Sequence, residues 1–168
     1  MVASDHGPLF GVFPSIVGAK IACPDMPVIG FAGDGAFGIS MNEMTAVGRD
    51  EWPAITMVIF RNYQWGAEKR NTTLWYDDNF VGTELDLDVQ YAKIAEACGV
   101  KGVQVATMEQ LTEELSKAIE AQKKGETVFI EALINQELGE PFRRDAMKAP
   151  NQVAGIDPKD MQPQAGAD

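Results

Sequence analysis

At 168 residues, the chain is long enough for one domain with a buried core. Its 45% hydrophobic and 23% charged residues are typical of a globular protein. The net charge of −11 argues against a nucleic-acid partner, which would need a basic face. No stretch approaches the roughly 18 apolar residues of a membrane span, and the N-terminus does not read as a secretory signal. We therefore expect a cytoplasmic protein with no membrane partner.

The two cysteines and the one histidine do not indicate a chemical role. Cys23 and Cys98 are far apart in apolar, helix-like surroundings, so we expect free thiols rather than a disulfide or a metal pair. His6 lies near the terminus, and no partner for catalysis can be identified in the sequence. We expect it to be solvated.

Strand-like and helix-like stretches alternate along the chain, with a loop at 33–38 and an acidic loop at 77–88. The predicted strands are 27–32, 54–60, 100–106 and 127–134, and the predicted helices are 13–22, 37–49, 89–98 and 107–123. Thr107 and Gln110 have the spacing of a helix-capping box. This alternation predicts a single three-layer α/β domain, in which a parallel sheet carries helices on both faces.

A glycine-flanked aspartate follows the first predicted strand, and an asparagine follows the second. The sequence Gly33-Asp34-Gly35 is separated by residues 36–60 from Arg61-Asn62. Parallel strands place phosphate-bearing ligands at their carboxyl ends, and Mg²⁺ prefers oxygen ligands shared with phosphates. The pattern predicts a Mg-diphosphate site. The competing interpretation is a tight turn and an unrelated asparagine.

These residues resemble the diphosphate-binding motif of the thiamine-diphosphate (ThDP) enzymes, which ends in a pair of asparagines. Here Arg61 replaces the first asparagine. The resemblance implies ThDP and Mg²⁺ as cofactors, with Asp34, Asn62 and the main-chain carbonyl of Gln64 as metal ligands. The implied cofactor-binding residues are Gly33, Asp34, Gly35, Ala36, Phe37, Asn62, Gln64, Trp65 and Gly66.

Three stretches, 33–38, 62–69 and 137–146, resemble the sulfoacetaldehyde acetyltransferases within this family. The resemblance divides the chain into a poorly matching segment at 1–12, the diphosphate-binding domain at 13–134 and a partly disordered C-terminal extension at 135–168. It implies conversion of sulfoacetaldehyde and phosphate into acetyl phosphate and sulfite. Small anionic substrates are therefore expected.

No catalytic residue is assigned within the chain. In the ThDP family, a glutamate from a pyrimidine-binding domain activates the cofactor, and the sequence has no room for that domain. The resemblance therefore implies a partner domain or subunit and a homo-oligomer, and we expect the chain alone to be inactive. Two pairs, Lys69-Arg70 and Arg143-Arg144, could either contact anions or be solvated.

Two other functions remain open from the sequence. One is a subunit of a split ThDP-dependent 2-oxo acid decarboxylase, of the sulfopyruvate type, or of an enzyme like acetolactate synthase. The other is a non-catalytic module for nucleotide binding or assembly.

Overall fold

The computed structural model describes residues 2–4 and 12–137, which form a five-stranded sheet and six α-helices. The strands are Val2–Ser4 (β1), Ile29–Gly33 (β2), Thr56–Arg61 (β3), Lys101–Val105 (β4) and Val128–Leu133 (β5). The helices are Val12–Ala22 (α1), Asp34–Ser40 (α2), Met44–Val47 (α3), Gly66–Trp75 (α4), Tyr91–Ala97 (α5) and Met108–Gln122 (α6). Within these residues, no helix is long and apolar enough to cross a membrane.

The sheet is parallel throughout, in the order β1-β2-β3-β5-β4. The predicted α/β architecture is confirmed, and each of the four predicted strands overlaps an observed one. Strand β1 was not predicted. His6, Arg143 and Arg144 lie outside the described residues, as does the C-terminal extension from residue 138 onward.

The chain divides into two compact units, which are described separately. The first contains the described residues up to Tyr63 together with Asp86–Asn135, and it includes the whole sheet. The second contains Gln64–Leu85 and, among the described residues, Gln136 and Glu137. Helix α4 is the helix of the second unit among the described residues.

One face of the sheet is covered by α1, α2, α3 and α5. Phe37 of α2 lies at the centre of this layer, with ring-centroid distances of 4.8 Å to Tyr91 and 5.0 Å to Phe129. All three rings are buried and belong to one apolar cluster. Helix α2 begins at Asp34, directly after the carboxyl end of β2.

The opposite face is covered by α6. Ala118 and Ala121 of this helix pack against Val58 and Ile130 of the sheet. The predicted cap is confirmed, because the Gln110 N–H donates to Thr107 Oγ1 at 3.2 Å. A parallel sheet between helices accounts for the apolar runs that predicted its strands.

The prediction of one helix over 37–49 was wrong. The chain is already helical at Asp34, and a 3₁₀ turn at Met41–Glu43 separates the seven-residue α2 from α3. Asp34 therefore lies in the first turn of a helix and not in a loop. Helix α2 is too short for a strong dipole.

Candidate functional site

Asp34 and Asn62 follow the ends of neighbouring parallel strands. Gly33 of β2 is paired in register with Phe60 of β3. Asp34 comes directly after β2, and Asn62 comes directly after the last residue of β3. The order of the sheet therefore brings both residues to the same edge.

The Asp34 carboxylate is held by main-chain N–H groups. Its Oδ1 accepts from Gly35 N at 2.9 Å, and its Oδ2 accepts from Tyr63 N at 3.2 Å. The side chain is only 5% exposed. The orientation of the carboxylate is thereby fixed by two segments of main chain.

Burial dominates the protonation of Asp34. Loss of hydration raises the pKa of its carboxyl above the ordinary value of 3.8, while hydrogen bonds from the main chain of Gly35, Asn62 and Tyr63, and the charge of Arg61, partly oppose the shift. Burying an ionised carboxylate costs free energy, and the cost increases when a negatively charged ligand binds beside it and no cation is present. A bound divalent cation would favour its ionised form.

The donor set at this edge suits Mg²⁺. Asp34 provides a charged oxygen and Asn62 carries an amide oxygen, both hard ligands of the kind that Mg²⁺ prefers. A Cβ built on Gly33 would meet nothing within 4 Å apart from its chain neighbours, so there is open space at the residue that precedes Asp34. The residues present therefore fit a metal ion that carries a diphosphate.

Ala36 and Phe37 contribute differently from the other predicted cofactor-binding residues. Both are buried, and the Phe37 ring is part of the core between α2 and the sheet. Any contact of Phe37 with a cofactor would therefore be made by its main chain.

Gln64, Trp65 and Gly66 belong to the second unit. The Gln64 side chain is buried and its Nε2 donates to Gln136 O at 2.7 Å. Trp65 N donates to Thr83 O at 2.8 Å, and Gly66 begins α4. In this part of the predicted site, Gln64 and Trp65 are therefore held by hydrogen bonds directly before the start of α4.

The charge of Lys69 is engaged within the same unit. Its Nζ pairs with the Glu84 carboxylate and lies 5.1 Å from the centroid of the Phe80 ring. Neither of the two interpretations of Lys69, a contact with an anionic ligand or a solvated side chain, included this ion pair.

Arg61, which departs from the family motif, is buried next to the proposed ligand Asn62, and its charge acts on Asp34. Its side chain is 1% exposed, and its Nε lies 3.4 Å from Oε1 of the fully buried Glu131. A charged residue in the otherwise apolar run 128–133 was the signal that could have revealed a buried partner.

Comparisons with known proteins identify the family of this chain. The family model described as "Thiamine pyrophosphate enzyme, C-terminal TPP binding domain" matches residues 4–132. The chain is 72% identical over 158 residues to a sulfoacetaldehyde acetyltransferase of Rhodobacter capsulatus, covering 94% of this chain and 27% of the relative. It is 73% identical, with the same coverage, to a probable sulfoacetaldehyde acetyltransferase of Rhizobium meliloti.

A solved structure shares the fold. It is the ThDP-dependent 4-hydroxybenzoylformate decarboxylase of Rhodococcus jostii, with a TM-score of 0.67 and 26% identity over 76% of this chain and 23% of that chain. The chain thus spans about a quarter of the length of the proteins that it matches. With the matching model covering most of its residues, this chain belongs to the thiamine pyrophosphate enzymes, as a C-terminal domain that binds thiamine pyrophosphate (ThDP).

Proposed function

We propose that this chain is the cofactor-binding part of an enzyme that converts sulfoacetaldehyde and phosphate into acetyl phosphate and sulfite. Two relatives with identities of 72% and 73% carry the name sulfoacetaldehyde acetyltransferase, one of them as probable. The alignment covers 94% of this chain, and it therefore includes the cofactor-binding edge. These relatives favour the acetyltransferase over a split 2-oxo acid decarboxylase or a non-catalytic module.

Within the chain, Mg²⁺ is held by Asp34, Asn62 and the main-chain carbonyl of Gln64. The observation that carries this proposal is the buried Asp34 carboxylate, which is fixed by Gly35 N and Tyr63 N at the end of two adjacent strands. A cation offsets the cost of burying that charge. The role of Gln64 derives from the family resemblance alone.

The segment from Gly33 to Phe37 contacts the diphosphate of ThDP through its main chain. The open space beside Gly33 supports this position, because the diphosphate needs a close approach of the backbone. When it is bound, ThDP supplies the carbanion chemistry. The residues of this chain anchor the cofactor and fix its orientation.

The complete enzyme, by which we mean this chain together with a pyrimidine-binding domain or subunit, is a cytoplasmic homo-oligomer. The partner domain provides the activating glutamate, which is not assigned within the chain. The relatives are about three and a half times as long as this chain, and this supports a further domain. The substrates are small anions.

The metal site is tested by titrating the complete enzyme with ThDP at saturating Mg²⁺ in a calorimeter. Asp34→Ala removes the charged ligand, and we expect its affinity for ThDP to fall by more than about 100-fold. Asn62→Ala removes a neutral oxygen and weakens binding less. Lys117→Ala, on the exposed surface of α6, is the control. An Asp34→Ala affinity equal to that of the wild type would refute the assignment.

The reaction is tested with the complete enzyme, ThDP, Mg²⁺ and sulfoacetaldehyde. We expect acetyl phosphate and sulfite in equal amounts, and only when phosphate is present. A second assay replaces sulfoacetaldehyde with sulfopyruvate, and release of CO₂ from it would favour the decarboxylase. Thermal stabilisation by NAD or ATP, but not by ThDP with Mg²⁺, would favour a non-catalytic nucleotide-binding module.

A further inference from the structure

We propose that Arg61 is a positioning residue, which holds the main chain of Tyr63 against Asp34 and so sets the geometry of the metal site. This inference rests on the proposed Mg-ThDP site. Arg61 is the residue at which the chain departs from the asparagine pair of the family. It is also the last residue of β3, immediately before the proposed ligand Asn62.

The guanidinium of Arg61 is anchored to the neighbouring strand. Nε lies 3.4 Å from Glu131 Oε1, and both side chains are buried, so the two residues form a buried ion pair. The two atoms do not have the geometry of a hydrogen bond. The other oxygen of Glu131 accepts from Ala92 N at 3.0 Å and from Gln104 Nε2 at 3.3 Å. The carboxylate that holds Arg61 is therefore itself fixed by α5 and β4.

The guanidinium also donates a hydrogen bond and contacts two aromatic rings. Nη2 donates to Asp86 O at 2.7 Å. The Cζ atom lies 4.5 Å from the centroid of the Tyr63 ring and 4.2 Å from that of Tyr91. A lysine would keep the charge but could not form the ion pair, the hydrogen bond and both ring contacts together.

Tyr63 needs such support because its main chain is unusual. Its φ is +60°, in the left-handed region that residues other than glycine rarely adopt. This conformation directs Tyr63 N to Asp34 Oδ2 at 3.2 Å. The contact between its ring and Arg61 stabilises the strained residue in the conformation that holds the carboxylate.

The contacts thus form a continuous chain from Glu131 through Arg61 and Tyr63 to Asp34. A mainly structural ion pair would affect only the stability of the fold. A positioning residue must affect the affinity for the metal even when stability is restored. These two roles can be separated, because a buried ion pair can often be replaced by apolar side chains of similar size without loss of stability.

The test uses the complete enzyme and four variants, Arg61→Met, Glu131→Met, the double variant and Arg61→Lys. Two quantities are measured: the melting temperature without metal, and the Mg²⁺ concentration that gives half of the thermal shift at saturating ThDP. We expect both single methionine variants to melt lower, and the double variant to recover much of the loss. We expect Arg61→Lys and the double variant to need about 10-fold more Mg²⁺, an effect typical of lost support to metal ligands.

Recovery of both the melting temperature and the Mg²⁺ requirement in the double variant would overturn the proposal. A Mg²⁺ requirement of Arg61→Lys equal to that of the wild type would also overturn it. Tyr63→Ala keeps the N–H but removes the ring, so it should raise the Mg²⁺ requirement even if the Arg61 variants do not fold. An unchanged requirement in that variant would contradict the mechanism.

Asp34→Ala separates this inference from the proposed function. If Asp34→Ala keeps the wild-type Mg²⁺ requirement, the metal site itself is wrongly assigned. If Asp34→Ala loses the response to Mg²⁺ while Arg61→Lys and Tyr63→Ala keep it, the metal site stands and the positioning role of Arg61 fails.

Discussion

The side-chain amide of Gln122 pairs with both main-chain groups of Val28, 94 residues away in sequence. Its Oε1 accepts from Val28 N at 3.0 Å, and its Nε2 donates to Val28 O at 3.0 Å. The same Nε2 donates to Thr56 Oγ1 at 2.6 Å. The last residue of α6 therefore completes the hydrogen bonding where β2 and β3 begin.

We expect Gln122→Leu to lower the free energy of unfolding by about 1–3 kcal/mol, because the buried Val28 N loses its partner, whereas Val28 O keeps the hydrogen bond from Thr56 N. Urea unfolding measures this change. Glu120→Ala, on the exposed side of the same helix, is the control and should leave the midpoint unchanged. A Gln122→Leu midpoint equal to that of the control would show that water or a shifted strand satisfies Val28.

Gly102→Ala tests the close approach of β4 to α5. An added Cβ would lie 2.1 Å from Ala92 O, a main-chain atom that cannot move without shifting the helix. We expect a loss of about 3 kcal/mol or more, as for overpacking in a core. Gly18→Ala is the matched control, because it lies in α1 with open space around its Cβ position. That variant should gain about 0.5–1 kcal/mol from helix propensity.

Gly33→Ala tests the location of the diphosphate. Gly33 has φ −82° and ψ 169°, which alanine adopts freely, and among the described residues an added methyl group meets only its chain neighbours within 4 Å. Stability should therefore be unchanged, while the affinity for ThDP with Mg²⁺ falls by roughly 10-fold or more because the methyl group competes with the ligand. Gly38→Ala in α2, also open, should bind normally. Equal binding by both variants would place the diphosphate elsewhere.

The raised pKa of Asp34 predicts how stabilisation by Mg²⁺ depends on pH. In the metal-free protein, the contribution of Asp34 to stability is present below its ordinary pKa of 3.8 and is lost as the pH rises through the raised folded value. A proton competes with Mg²⁺ for the same carboxylate. As the pH is lowered, the thermal shift caused by Mg²⁺ and ThDP should therefore begin to decline at a pH that is still above the range in which an aspartate ordinarily takes up its proton.

Melting temperatures measured at a series of pH values, with and without Mg²⁺ and ThDP, test this dependence. Asp34→Ala should show no shift at any pH. A wild-type shift that stays constant down to pH 3.8 would contradict the role of burial at Asp34.

The strands and the capped helix were predictable because their signals are local. Apolar runs bounded by turn residues located β2, β3, β4 and β5, and Thr107 located the start of α6. The break at Met41–Glu43 was missed because the residues around it keep a helical pattern. β1, of three residues, is too short for any periodicity.

The polar contacts of the interior could not be predicted in the same way. Gln122 lies among charged residues near the end of a helix, and its burial follows only from the packing of α6 on the sheet. The partners of Arg61, at positions 86 and 131, are distant in sequence and meet only after β5 is inserted beside β3. The motif residues Asp34 and Asn62 were found from their spacing, but the fixing of Asp34 by Tyr63 N depends on a left-handed residue that no sequence pattern signals.

β3 is the middle strand of the five, with two strands on either side. Amide hydrogen exchange in such a strand requires more extensive opening than exchange at β1 or β4, which are the edges. Arg61 is its last residue, so one end of the segment carrying Asn62 is tied to the slowest-exchanging part of the sheet. Local openings at the edges can therefore occur without displacing Asn62, and the domain should admit and release its cofactor while the centre of the sheet stays closed.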